Sequence, residues 1–407
     1  MTDWTATRAE AESRLTAFAP RMGRRYANGR NTDHGPTEHN AVSVLSPYIR
    51  RRLLLESDVV SAALAAHGAQ DAEKFVLEVI WRGYFKGWLE HRPQVWTSYV
   101  QGLEADLAAS ERDRRLRRDL ERAMDGQTGL ACFDAWAEEL VETGYLHNHA
   151  RMWFASIWIF TLGLPWRLGA DFFYRHLLDG DAASNTLGWR WVAGLHTRGK
   201  PYPAEAANIT TFTAGRFCPR PDDLAKVTQG LEASEPDGLP PILPLRTVTA
   251  PQSTLPAALL ITDEDCRPED FNLADFDIRT VATLTTSHLR SPLPVADRVA
   301  SFETAALADA AARVGVTPIT LGGTTAQDLA RWALSAGAVQ IATPYVTRGP
   351  LRDWLDAAAP VLAAHGLTLC EWQRDWDRAI WPHATAGFFK VRQKIPTLLE
   401  QLLPKPL

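Results

Sequence analysis

The chain is poor in cysteine. Its four, Cys132, Cys218, Cys266 and Cys370, lie far apart with no C-x-x-C pair, which excludes the usual zinc and iron–sulfur spacings and leaves no disulfide framework. They read as reduced thiols, the state expected in the cytoplasm. The N-terminal stretch MTDWTATRAEAESRL has no apolar core of the kind a secretory signal carries. Long hydrophobic runs are also missing. The longest, MWFASIWIFTLGLPW (152–166), is too short to span a bilayer and is flanked by Arg151 and Arg167, so it predicts a buried core helix and no membrane partner. No G-x-G-x-x-G occurs, and LGGTT (321–325) alone is weak evidence for phosphate binding.

Neither charge sign dominates: 43 Lys and Arg face 48 Asp and Glu, a net charge of −5. The balance is uneven along the chain. Residues 1–220 hold 27 basic and 26 acidic side chains, residues 221–407 hold 16 and 22, so the N-terminal part is the better partner for an anion. At 407 residues the chain exceeds what one core usually supports. Helical periodicity dominates from about 35 to 217, as in KFVLEVIWRGYFKGWL (74–89) and FDAWAEELVETGYLHNHARMWFASIWIF (133–160). EASEPDGLPPILPL (232–245) then reads as a linker. Beyond it the strand-like segments 257–262, 280–286, 317–321, 339–346 and 367–372 alternate with helical ones at 302–315, 325–337 and 349–366. That order predicts a Rossmann-like parallel sheet. The expected fold is therefore multidomain: an all-helical domain over 1–220, a linker over 221–252 and a parallel α/β domain over 253–407.

Nine of the fifteen Trp fall between residues 81 and 191. Indoles this dense suit stacking on flat ligands or passing single electrons, although a Trp-rich core would read the same way. In DGDAASNTLGWRW (179–191) an acid can simply cap a helix while the indoles fill a core.

Taken together, TGYLHNHARM (143–152) and DGDAASNTLGWRWVAG (179–194) resemble the flavin-binding domain of DNA photolyases and cryptochromes, whose pattern there is TGWMHNRxRM…DGDxAxNxGGWQWxAG. VSVLSPYI (42–49) resembles the family's TSxLSPYL, and EVIWRGYF (78–85) its ExxWRxFY. The resemblance implies FAD as cofactor. It implies that Asp179 pairs with Arg151, that Gly180 and Asp181 lie at the ribityl–isoalloxazine region, and that Asn185 sits beside flavin N5. Val42, Ser43, Val44, Leu45 and Ser46 would meet the pyrophosphate, with Arg82 matching its charge. Val42 and Val44 stand where the family has Thr and a basic residue, so phosphate binding would lean on backbone groups.

By the same resemblance, a pyrimidine dimer flipped out of UV-damaged DNA would meet Glu78, Trp81, Asn148, His149, Met152 and Trp191. Glu78 would stabilise the dimer's radical anion. Trp189 and Trp166 match the first two members of the family's photoreduction chain; Trp153, Trp136 and Trp96 are candidates for the third. Tyr145 and His149 replace a Trp and an Arg of the family, which weakens the expectation of tight DNA binding. The family places its antenna domain first, whereas here the α/β region comes last, and DWDRAIWPHATAGFFKVRQKIP (375–396) looks like the segment that ends that domain. The α/β region is read either as a permuted antenna domain, for which the resemblance allows a folate or deazaflavin as second cofactor, or as an unrelated α/β module. Two functions follow: a light-driven, cytoplasmic, monomeric deoxyribodipyrimidine photo-lyase, or a cryptochrome-like receptor without repair activity. The Arg50–Arg51–Arg52 triplet and the basic stretch 110–123 could line a DNA face, the latter reading equally as a solvated helix.

Overall fold

The computed structural model describes residues 4–39 and 41–403. Its N-terminal part is helical. Helices α1 (Arg8–Phe18), α2 (Arg24–Gly29) and α3 (Ser46–Arg50) lead into the long α4 (Glu56–Glu90), which bends at Gly68. There follow α5 (Pro93–Arg112), α6 (Arg114–Met124), α7 (Ala131–Thr143), α8 (Asn148–Ser156), α9 (Trp166–His176), α10 (Ala182–Val192) and α11 (Ala206–Phe212). In α4 the buried residues Phe75, Val76, Val79 and Ile80 recur at the helical period, which turns the face bearing Glu78, Trp81 and Arg82 elsewhere.

The helix expected across 133–160 is broken. Gly144 ends α7 in the left-handed region (φ 70°), and this reversal lets α8 start afresh at Asn148. The apolar run 152–166 is buried as expected, but it closes with a π-helical turn over Ile157–Thr161 before Pro165.

The five expected strands all form: β1 (Ala257–Thr262), β2 (Ile278–Leu284), β3 (Ile319–Leu321), β4 (Gln340–Pro344) and β5 (Thr368–Trp372). They make one parallel sheet in the order β3-β2-β1-β4-β5. α12 (Asp297–Val314) connects β2 to β3, α13 (Ala326–Ser335) β3 to β4, and α14 (Pro350–Ala364) β4 to β5. Alternation along β1 builds two layers. Ala258 and Leu260 pack with Leu329, Leu351 and Leu355 of α13 and α14, whereas Leu259 and Ile261 join α12 and the helical part in one continuous core.

The sheet is thus docked through one face and through its strand ends. After β5, residues 375–403 return to the helical part as α15 (Asp375–Ile380), α16 (Phe389–Arg392) and α17 (Ile395–Leu402). The connecting stretch 235–256 has no helix or strand; it is pinned to α4 by the pair Leu243 N to His91 O at 2.8 Å.

Strand order reverses between β1 and β4, and the crevice at such a switch point is the usual ligand site of an open α/β sheet. Here side chains of the helical part enter it. The loop after β1 carries Asp263, Glu264 and Asp265. Arg50 reaches Glu264 at 2.7 Å, and Arg52 reaches Asp265 at 3.3 Å and Asp377 at 2.7 Å. Arg50, Arg51 and Arg52 are consequently buried, which corrects the expectation that they line a DNA face: their charges are spent on joining the two parts. The basic stretch 110–123 is the solvated alternative, an exposed helix with Arg115 paired to Asp119.

Candidate functional site

A cavity of about 500 Å³ opens in the helical part. Four segments supply most of its wall, each with residues at helical spacing or from one tight loop. The loop before α3 gives Val42, Ser43, Val44, Leu45 and Ser46; α4 gives Glu78, Trp81, Arg82 and Phe85. α8 adds Asn148, His149, Arg151 and Met152, and the turn into α10 adds Asp179, Gly180, Asp181, Asn185, Trp189 and Trp191. Every site residue expected from the sequence therefore meets here except Trp166, which is buried at the start of α9 away from the cavity.

Val44 holds a left-handed backbone conformation (φ 54°), uncommon for a β-branched residue. It re-aims the chain so that Ser43 Oγ accepts from Leu45 N at 3.4 Å and the 43–46 backbone lines the wall. Gly180 leaves room for a close approach: a Cβ there would lie 2.7 Å from Arg290 Nη1 and 3.1 Å from Leu177 O.

The acids of the turn each do two things. Asp179 accepts from Arg151 Nη2 at 2.9 Å. Burial pushes its carboxyl up and Arg151 more than reverses this, leaving it below the ordinary range. Asp181 caps α10, accepting from Ser184 N at 2.8 Å, and also pairs with Lys86 Nζ at 3.0 Å. Burial would raise Asp181, but Lys86, Arg82 and Arg50 together hold it well below the usual carboxylate range. Capping and site geometry are both realised in one residue. Asn185 Nδ2 donates to Ala170 O at 2.8 Å.

Sequence reasoning missed several members. Tyr26, Arg30 and Asn31 reach the cavity from α2 and the turn after it, His196 from beyond α10. Arg30 pairs with Glu78 at 2.7 Å, so the Glu78 carboxyl, raised by burial, is partly drawn back by this cation. Lys86 lay inside the quoted α4 segment, one turn after Arg82; a buried Lys among apolar residues was the available signal. Phe388 was not legible at all. Its ring stacks on Trp81 at 3.9 Å with an interplanar angle of 13°.

Two buried donors at the cavity, Arg82 Nη1 and Trp189 Nε1, have no hydrogen-bond partner among the described residues. An unsatisfied guanidinium beside a concave wall suits a phosphate-bearing ligand. Trp189 packs edge-on to Trp158 at 6.3 Å and to Phe173 at 5.1 Å, while Trp166 neighbours Tyr99 at 5.9 Å and Tyr99 neighbours Trp96 at 5.3 Å. Trp136 and Trp153 stack on each other at 5.5 Å.

The family model described as the FAD binding domain of DNA photolyase matches residues 75–215. Over those residues the chain is similar to the FAD-binding domain of the photolyase/cryptochrome family. Photolyase-family relatives include the deoxyribodipyrimidine photo-lyase of Streptomyces griseus, 35% identical over 177 residues that cover 41% of this chain and 35% of that one. A deoxyribodipyrimidine photo-lyase of Thermus thermophilus is 34% identical over 193 residues, covering 46% and 43%. The chain thus spans well under half the length of these relatives. Among solved structures, a bacterial class III photolyase from Agrobacterium tumefaciens is 28% identical, with a TM-score of 0.44, over 52% of this chain and 43% of that one. The photolyase-type match begins after the 42–46 loop and Arg30, so those walls are supplied by chain outside it.

The family departures also have local reasons. Tyr145 lies under the Arg151 guanidinium at 5.5 Å, an aromatic face keeping the cation in place. His149 stacks on Trp153 at 5.1 Å and shares a hydrogen bond with Asn31 O at 2.7 Å. Burial lowers its pKa, so it is neutral at physiological pH.

Proposed function

We propose that this cavity binds FAD non-covalently and that the loaded protein splits cyclobutane pyrimidine dimers in DNA under blue or near-UV light. The carrying observation is the charge pattern of the wall: the ion-paired acids Asp179 and Asp181 together with Arg82, whose buried Nη1 has no hydrogen-bond partner among the described residues. A buried donor left without a partner is costly, and an anionic ligand group placed against it would supply the missing bond.

In this reading residues 1–220 form the cofactor domain and 253–407 the α/β domain. Reduced FAD supplies a light-excited electron donor when bound. Arg82 and the 43–46 backbone bind its pyrophosphate, Asp181 and Lys86 fix the ribityl side, and Asn185 offers its remaining amide atom to the ring. Trp81 and Trp191 present indole faces to a flipped dimer, and Glu78, as the neutral acid that burial favours, donates a hydrogen bond to it that strengthens as negative charge develops. The Arg30 cation beside Glu78 adds to that field. Trp189 in the cavity wall, and Trp166 beside the Tyr99–Trp96 pair, are the rings assigned to reducing the cofactor.

A cryptochrome-type receptor is the second reading. It is favoured by His149, which is neutral where a cation would grip a DNA backbone.

The test has two stages. The purified protein should be coloured and release FAD on denaturation; a colourless protein that cannot be reconstituted ends both readings. The reduced protein should then restore thymine absorbance in dimer-containing oligonucleotides only under illumination, with Glu78→Ala losing repair yield more than binding. FAD without repair leaves the receptor.

A further inference from the structure

The α/β part backs the cavity wall without lining it, and one of its contacts is a carboxylate. Glu264 leaves the C-terminal end of β1 and its Oε1 accepts from Arg50 Nη2 at 2.7 Å. Its Oε2 accepts from Thr347 Oγ1 at 2.8 Å and lies 3.4 Å from Lys86 Nζ. Lys86 in turn holds Asp181 at 3.0 Å, and Arg50 Nε donates to Gly180 O at 2.9 Å. The side chains of Lys86, Asp181 and Arg50 are 5%, 3% and 3% exposed, that of Glu264 12%. Two cations of the helical part are thus shared between the cavity wall and Glu264, and Arg50 also donates to Asp263 O at 2.7 Å and lies 3.7 Å from its carboxylate. Thr347 and Glu264 stand on loops after β4 and β1, the pair that flanks the switch point. The crevice where an α/β sheet ordinarily takes a ligand instead takes Lys86.

We propose that Glu264 is a positioning residue of the flavin site, through which the α/β domain fixes Lys86 and Arg50 against the Asp181 wall and sets how tightly FAD is held and how readily it is reduced. The inference rests on the cavity binding FAD. With Glu264 ionised, Lys86 and Arg50 face three acids, Asp181, Glu264 and Asp263. Without its charge Lys86 keeps Asp181 and Arg50 keeps Asp263, so the positive charge behind the wall is less fully neutralised and favours the reduced, anionic flavin. The same loss frees both cations from their outer anchor, so the wall is less well ordered for binding.

The full-length protein is stripped of flavin and titrated with FAD by fluorescence quenching, for wild type, Glu264→Gln, Lys86→Met and the double variant. We expect Glu264→Gln to bind about tenfold more weakly, the coupling typical of contacting charges, and its flavin midpoint potential to move positive. The double variant should lose less than the sum of the two single variants, because Glu264 acts in part through that lysine. A merely structural role would not shift the potential. If Glu264→Gln fails to fold, Thr347→Val decides: removing the hydroxyl that holds Glu264 should weaken binding in the same direction by a smaller factor. Wild-type binding with unchanged affinity and potential in the folded variants overturns the proposal. Wild type that takes up no FAD overturns the function it rests on, and the two failures are thereby distinct.

Discussion

Phe388 lies flat against Trp81, ring centroids 3.9 Å apart, and so ties the residues after the last strand to a wall of the cavity. The contact is held from behind by Tyr84 Oη donating to Ala386 O at 2.8 Å and by Arg92 Nη2 donating to Thr385 O at 2.8 Å. Phe388 does not itself line the cavity, so it backs the indole and leaves the other face free.

Neighbouring phenylalanines should therefore respond differently. Phe388→Ala is expected to lower unfolding free energy by about 1–2 kcal/mol, the stacked pair plus its lost burial. Phe389, 66% exposed, should change it by less than about 0.5 kcal/mol as Ala. Urea unfolding of the two variants checks the contrast.

Arg52 donates two hydrogen bonds to Asp377, at 2.7 and 2.8 Å, and pairs with Glu56 and Asp265. Arg52→Met leaves three acids clustered without this cation. The expected loss is about 3 kcal/mol or more, as for other buried pairs broken on one side. Chemical denaturation measures it; a variant as stable as wild type would contradict the buried network.

Glu139 on α7 is buried beside Asp33, and burial pushes its carboxyl up to about 8 with Asp33 adding and Arg216 opposing. A raised carboxylate contributes stability in full below its unfolded value and loses it as pH rises through the folded one. Wild type should lose stability relative to Glu139→Gln between about pH 4.5 and 8. Melting temperatures of both proteins across that range should diverge in favour of the variant, most at the alkaline end.

Under blue light, Trp189→Phe should slow reduction of bound FAD by an order of magnitude or more. Phenylalanine is far harder to oxidise than indole, and Trp189 is the assigned ring that lines the cavity. Transient absorption of the reconstituted variant checks this; unchanged kinetics would assign the electrons another entry.

Much of this was legible in the sequence. The strands announced themselves because parallel strands buried on both faces are short apolar runs between turn residues, as in AALLIT over β1. The cavity residues were legible because order and spacing of four motifs carried them. What escaped was long-range pairing. Arg30 and Glu78 sit 48 residues apart and Arg50 and Glu264 214 apart; a charged residue shows no partner in its own neighbourhood, so Arg50–Arg52 read as an open basic surface. The break at Gly144 was hidden because apolar spacing continues through it.

The order of the two parts also bears on how the protein is made. Arg50 and Arg52 leave the ribosome 213 residues before Asp263 and Asp265, and Arg52 325 residues before Asp377. Until those acids emerge, a nascent helical part carries a strip of guanidinium groups that keep only partners of the helical part itself, such as Glu56 at Arg52. Its final consolidation waits on the C-terminal end of the chain, and a fragment ending at the linker would carry that strip permanently exposed to chaperones and nucleic acid.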